Sequence, residues 1–263
     1  MEASDHCLTL SDFFYRHFQV VVANTPELRE AAFQVRYRVY CEELKYEDAQ
    51  VFPDKLEHDA FDSSAIHCLL KHHASGQFIG CIRVLLAGKS ESDPTLPFRR
   101  FLQVTDLPFE HRPLDRFNHC EVSRLAIVGD FRKRKGESEV AYPDHYSPQL
   151  DARRMLPSMA LGLYLASTAA ILELGIDNAF AMMEPRLARH LQRFGLYFRQ
   201  AGPLVEYHGQ RAPYHIIPRN VPPNLHQENH QLFKSIQSTL RLDMQSLVNH
   251  FFDRPEPNLS TAA

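Results

Sequence analysis

Cys120-Glu-Val-Ser-Arg-Leu-Ala-Ile127 is an apolar run broken by one carboxylate and one guanidinium, and the fold turns on how it is read. Its aliphatic residues predict a strand over residues 121–128. In a regular strand Glu121 and Arg124 have opposite parity and point to opposite faces, so both serve one cleft only if the strand bulges. Without a bulge they read as a carboxylate at a strand end and an arginine in a buried ion pair.

Other apolar segments carry charges in the same way. Arg36 lies in Val35-Arg-Tyr-Arg-Val-Tyr40, Asp59 and Asp62 in Glu57-His-Asp-Ala-Phe-Asp62, and Arg83 in Gly80-Cys-Ile-Arg-Val84. Charges are seldom buried without partners, so the set implies a polar site built into the core. Asp59 and Asp62 can share one turn, and with His58 they suggest a metal cluster. No H-E-x-x-H helix or second ligand group accompanies them, so an acidic pair that clamps an arginine or an ammonium group is the more economical reading, with no metal expected. Ser123 lacks a G-x-S-x-G elbow, and Cys120 reads as a buried thiol. There is no Walker A or G-x-G-x-x-G pattern.

Upstream, Phe18–Ala23 predicts a strand, followed by a helix with Thr25 as N-cap and Pro26 at its first position. Leu28, Ala32, Val35 and Val39 form that helix's apolar stripe, and Arg36 lies beside it. After an irregular stretch, residues 66–70 and 78–86 predict a hairpin about Ala74-Ser-Gly-Gln77. Residues 88–119 read as an excursion with at most short helices. Downstream come a polar insertion over about 131–151, a long apolar helix, a strand over 176–183 and a helix over 185–194 that Gly195 ends. A closing hairpin spans residues 204–217. The expected organisation is an N-terminal segment 1–17, one domain over 18–218, and a linker with an amphipathic helix over 219–263.

The 263 residues, 44% hydrophobic and 23% charged, can bury a sizeable core, and a net charge of -3 gives no general pull towards nucleic acid. The run Arg132-Lys-Arg-Lys135 stands alone, and beside a helix N-terminus it is suited to a phosphate. Five scattered cysteines and no signal-peptide pattern point to a cytoplasmic setting. Met155–Leu172 has no charge but contains Pro157 and Gly162 between Arg154 and Glu173, which favours a buried helix over a membrane span. The last helix is free to dock on its own domain, a second subunit or a membrane surface.

Taken in order, these residues resemble the acyl-homoserine lactone synthases and their relatives the long-chain N-acyl amino acid synthases, of the GCN5-related N-acyltransferase superfamily. Arg36 with Tyr40 is similar to that family's N-terminal arginine and aromatic, and Tyr46 stands where it usually has Trp. Asp59 and Asp62 match its two acids, Arg83 its strand arginine, and Glu121 with Arg124 its E-x-S-R signature. The lack of Trp, the polar insertion, the C-terminal helix and Tyr207-His-Gly-Gln-Arg-Ala-Pro-Tyr214 look more like the N-acyl amino acid synthase branch, including acyltransferases associated with the PEP-CTERM/exosortase system.

The resemblance implies an α/β (α+β) domain whose mixed, mostly antiparallel sheet is flanked by helices and splays between two central strands to admit a pantetheine arm. It implies acyl transfer from a thioester of acyl carrier protein or coenzyme A to the amine of an amino acid or similar small molecule. The alternative is acyl-homoserine lactone synthesis; a non-catalytic thioester binder or nucleic-acid-binding protein is more distant. Glu121 is the expected base, with Arg124 beside it. Arg36, Tyr40, Tyr46, Asp59, Asp62 and Arg83 would shape the acceptor pocket, and Arg132, Lys133, Arg134 and Lys135 would meet the pantetheine phosphate or the carrier protein. No cofactor is implied beyond the thioester co-substrate.

Overall fold

The computed structural model describes residues 9–87, 95–102, 118–132 and 151–252. Its strands are β1 (Phe18–Val22), β2 (Ala65–His72), β3 (Phe78–Leu86), β4 (His119–Ile127), β5 (Asn178–Met183), β6 (Arg199–Gln200), β7 (Val205–Glu206) and β8 (Gln210–Ile216). They form one mixed sheet in the order β1-β2-β3-β4-β5-β8-β6, with β7 also on β8. Every pair is antiparallel except β4 with β5.

That parallel pair covers only His119–Glu121 against Asn178–Phe180. Beyond Glu121 the β5-facing edge of β4 has no strand partner among the described residues, so the sheet splays at its centre, as the resemblance implies.

Alternation along β3 assigns the two faces. Cys81 Sγ points at the carbonyl of Ala32 on α2 (Pro26–Arg36), whereas Gly80 lies against Leu163 on α4 (Asp151–Glu173). α2 begins as the sequence predicts, with Thr25 Oγ1 accepting from the Leu28 N–H at 3.4 Å. It runs into a π-helical turn over Tyr37–Glu43, a wider turn often found at functional sites.

On the α4 face, α1 (Leu10–His17) and α7 (Gln227–Phe252) complete the layer, and α7 packs on α4, α1 and β1. The last helix therefore docks on its own domain, burying Leu232, Phe233, Ile236, Leu240, Met244 and Leu247. The sequence reading left α1 without an element, although Thr9 and Asp12 form a capping box that starts it. Its Phe14 ring lies so close to α4 that a Cβ on Gly162 would come within 2.3 Å of it.

α3 (Gly129–Arg132) and α6 (Val221–Asn224) are single turns, and α5 (Pro185–Gln192) is followed by Gly195 at φ 93°. The proline-marked linker is compact, with helical turns over Pro218–Asn220 and α6 that bury Val221 and Leu225. β6 is a short strand the sequence did not signal. Most of the polar insertion and of the excursion after β3 lies outside the described residues; the excursion's described part holds a 3-10 turn over Pro97–Phe101. Among the described residues no helix is long and apolar enough to cross a membrane.

Candidate active site

The bulge that Glu121 and Arg124 require is present. Cys81 of β3 faces Ala126 and Arg83 faces Ser123, so Ile82 spans two residues of β4, Arg124 and Leu125. Arg124 takes φ 51°, a left-handed conformation uncommon outside glycine. The extra residue lets neighbours serve one cluster. Ser123 Oγ accepts from Arg83 Nε at 3.1 Å, while Arg124 Nη2 lies 3.6 Å from Asp59, which also pairs with Arg83.

Around this point the charged side chains interlock. Arg36 binds Glu57 through Nε and Asp62 through Nη1 at 2.7 Å. Arg83 Nη1 donates to Asp59 and Asp62, both at 2.8 Å. Arg124 Nη2 reaches Glu57 at 3.2 Å and Glu47 at 3.4 Å. Arg36, Glu57 and Arg83 are almost fully buried, at 0%, 1% and 2% exposure. Burial alone would raise the carboxyls of Asp62 and Glu57. The hydrogen bonds and positive charge of Arg36, with Arg83 beside Asp62 and Arg124 beside Glu57, instead hold both below the usual carboxylate range.

Glu121 is in a different environment. It faces Leu85 on β3 and Phe180 on β5, at the last paired position before the splay. Its Oε2 accepts from the Phe98 N–H at 3.0 Å, and the Phe98 ring stacks on Phe180 at 4.1 Å. Burial raises its carboxyl to about 7, the Phe98 N–H and the charges of Arg83 and Arg124 offsetting only part of the cost. A group poised there gains or loses a proton near neutrality. Register puts it on the same sheet face as Ser123 and Arg83.

An aromatic wall bounds this face. The Tyr40 hydroxyl donates to the carbonyl of Leu125 at 2.8 Å, tying the π turn to the bulge. The Tyr40 ring stacks near Tyr46 at 6.5 Å, and Tyr46 stacks on His208 of the β7–β8 hairpin at 4.7 Å. Arg124 lies over Tyr40 at 5.5 Å, and Arg211 over Tyr46 at 6.0 Å.

Arg36, Asp59, Asp62, Arg83 and Arg124 thus meet in one network, Tyr40 and Tyr46 stand at its edge, and Glu121 lies beside it. Arg132 ion-pairs with Glu43, whose carboxylate also accepts from the Gly129 N–H, so its charge is compensated within the fold. Lys133, Arg134 and Lys135 lie outside the described residues.

Sequence reasoning passed over Glu57, which links Arg36 to Arg124. The available signal was charge count, because three buried arginines need more than two carboxylates. His67, at 1% exposure, also escaped notice; burial pushes it down to about 3, and its Nε2 lies 3.4 Å from Asp62. The described cysteines, Cys41, Cys68, Cys81 and Cys120, are free and buried. Burial pushes the Cys41 thiol up to about 11 and those of Cys68 and Cys81 to about 12, and raises Cys120 further.

Residues 35–140 match the family model described as an acetyltransferase (GNAT) domain. No curated protein matches the chain. A solved structure of the CoA-dependent acyl-homoserine lactone synthase BjaI, with SAM and isopentyl-CoA, is 16% identical over 89% of this chain and 99% of its own, with a TM-score of 0.53. FeeM, an N-acyl amino acid synthase from uncultured soil microbes, is 18% identical over 79% of this chain and 94% of its own, with a TM-score of 0.51. MesI, another CoA-dependent acyl-homoserine lactone synthase, is 18% identical over 84% of this chain and 95% of its own, with a TM-score of 0.51. At these identities the likeness is one of fold. Residues 35–140 thus resemble a GNAT acetyltransferase domain, and the chain shares the fold of acyl-homoserine lactone synthases and an N-acyl amino acid synthase.

Proposed function

We propose that this protein moves an acyl group from a thioester of acyl carrier protein or coenzyme A to the amine of an amino acid or similar small molecule. The observation that carries the reading is Glu121, a buried carboxyl raised to about 7 where β4 and β5 part. The amine nitrogen adds to the thioester carbon as Glu121 takes its proton. The oxyanion so formed is stabilised by backbone N–H groups at the bulged part of β4. Collapse of the adduct forms the amide and breaks the C–S bond, and the proton passes from Glu121 to the departing sulfur, so that amine and thioester give amide and thiol.

The unpaired edge of β4 supports the donor assignment, since a pantetheine arm carries amides able to pair with it. The seam below it is lined by Val122, Tyr164, Thr168, Ile171 and Phe198 around a cavity of about 20 Å³, and the acyl chain would open this space further. Lys133, Arg134 and Lys135 would meet the donor's phosphate or carrier in the cytoplasm, where such thioesters are made; with Arg132 paired to Glu43, these three carry the proposed contact.

The test is purified enzyme with decanoyl-CoA and decanoyl-carrier protein against a panel of amines, read by thiol release and mass spectrometry. An N-acyl product lost in Glu121→Gln supports the reading; no amide from either donor overturns it. A lactone formed from SAM in the same assay would select the homoserine lactone alternative.

A further inference from the structure

Arg36, Arg83 and Arg124 each have carboxylate partners within 4 Å; Arg211 differs. It is the second residue of β8, and its Nε is buried with no hydrogen-bond partner among the described residues. The hairpin's own acid is turned away, because Glu206 accepts from the Gly209 N–H at 3.2 Å and from Gln210 Nε2 at 2.7 Å. Glu47, the acid next to Tyr46, is taken by Arg124 at 3.4 Å. A guanidinium N–H withdrawn from water without an acceptor is costly, so it is poised for one that arrives with a ligand.

Register fixes where that ligand would sit. His215 faces Phe180, and Phe180 faces Glu121, so these residues share one face of the sheet. Arg211 and Pro213 alternate with His215 onto the same face. The aromatic wall makes the same connection from the other side: Arg211 lies over Tyr46, Tyr46 near Tyr40, and Tyr40 under Arg124, three residues along β4 from Glu121. His208 stacks on Tyr46 and so holds the hairpin that carries Arg211 against this face.

We propose that Arg211 binds the carboxylate of the acceptor, so that the site selects amino acids over amines, amides and esters. The inference rests on the acyl-transfer reading above and adds the chemical group by which the acceptor is chosen. A guanidinium offers parallel N–H donors that match a carboxylate in a fork, which a neutral amide in the ligand cannot reciprocate with equal strength. The carboxylate end would lie on Arg211 beside Tyr46, leaving the amine directed towards Glu121 and the splay.

The test sets the twenty L-amino acids against their C-terminal amides, with decanoyl-CoA and decanoyl-carrier protein as donors, in wild type, Arg211→Gln and Arg211→Lys. Binding of each acceptor is followed separately by calorimetry. In wild type the preferred acid should have a KM at least about 10-fold below that of its amide. Arg211→Gln should raise the acid's KM by about 10- to 100-fold while leaving kcat and the amide's KM unchanged, with Arg211→Lys between them. Equal use of acid and amide by wild type, or an equal effect of Arg211→Gln on both, overturns the assignment. Thermal unfolding of the variants should match wild type, because Arg211 has no ion pair to lose among the described residues; a large drop would make it a structural residue and overturn the proposal. Acids that bind through Arg211 without yielding N-acyl product would sink the reaction and keep the site. N-acylated products formed without preference for acids would do the reverse.

Discussion

Glu57 and Glu121 are both buried carboxyls near arginines, yet they titrate in opposite directions. Glu57 is hydrogen-bonded to Arg36 and Arg124, so attraction outweighs burial, whereas Glu121 receives, among the described residues, a backbone N–H and more distant positive charge. Because Glu121 is raised from 4.5 to about 7, the folded state holds its proton more tightly than the unfolded chain. The stability it contributes is full below pH 4.5 and is lost as pH rises through about 7. The loss converts to roughly 3 kcal/mol. Glu121→Gln should therefore melt higher than wild type at about pH 8 and level with it at low pH, while kcat falls about 100-fold or more. In wild type the rate should climb with pH to a plateau above about 7. A variant that keeps near-normal turnover across pH would remove Glu121 from the chemistry. Glu57 and Asp62 have the opposite sign: their contribution is present above the unfolded carboxyl range and lost in acid. Glu57→Gln leaves Arg36 and Arg124 undercompensated, at about 3–5 kcal/mol. Calorimetry should show a fall in Tm of about 10 °C. Most of these charges were legible because a charge in an apolar run is conspicuous. Glu57 was not, since it sits at the edge of its segment and its role depends on two arginines distant in sequence.

The bulge in β4 shows where local pattern ends. Alternation stated the conflict between Glu121 and Arg124, but the resolution lies in β3, where Ile82 spans two residues of its neighbour. No count along one strand contains that register. α1 was missed for a related reason: eight residues are too few for a periodic signal, and such a helix depends on what it packs against. Its contact with α4 is close, so Gly162→Val should push the Phe14 ring aside and cost about 1–3 kcal/mol. The double variant with Phe14→Ala should lose less than the sum of the two single losses, because the smaller side chain makes room for the new one. Denaturant melts of the two single variants and the double variant measure this coupling; strict additivity would mean that the two positions do not touch.

Across the whole molecule, the order of strands and helices was largely readable, since most elements are long enough to carry a period. The docking of α7 was not, because an amphipathic stripe says that one face is apolar and not what covers it. Six buried apolar side chains of α7, at about 1.5–3 kcal/mol each, amount to a contribution comparable with the entire stability of a domain. A chain ending at His226 should therefore lose its cooperative melt and bind a hydrophobic dye; a truncated protein that unfolds like wild type would show that α7 is an accessory. The splay predicts the opposite response to ligand: a non-hydrolysable acyl-pantetheine thioether should raise Tm if it occupies the unpaired edge of β4. The buried cysteines have a consequence of their own. Under the proposed function the protein meets thioesters, and any accessible thiolate would capture their acyl group by exchange. Cys41, Cys68, Cys81 and Cys120 are shielded, with thiols pushed to about 11 or above, so none offers such a thiolate and the described core would be protected from the proposed donor.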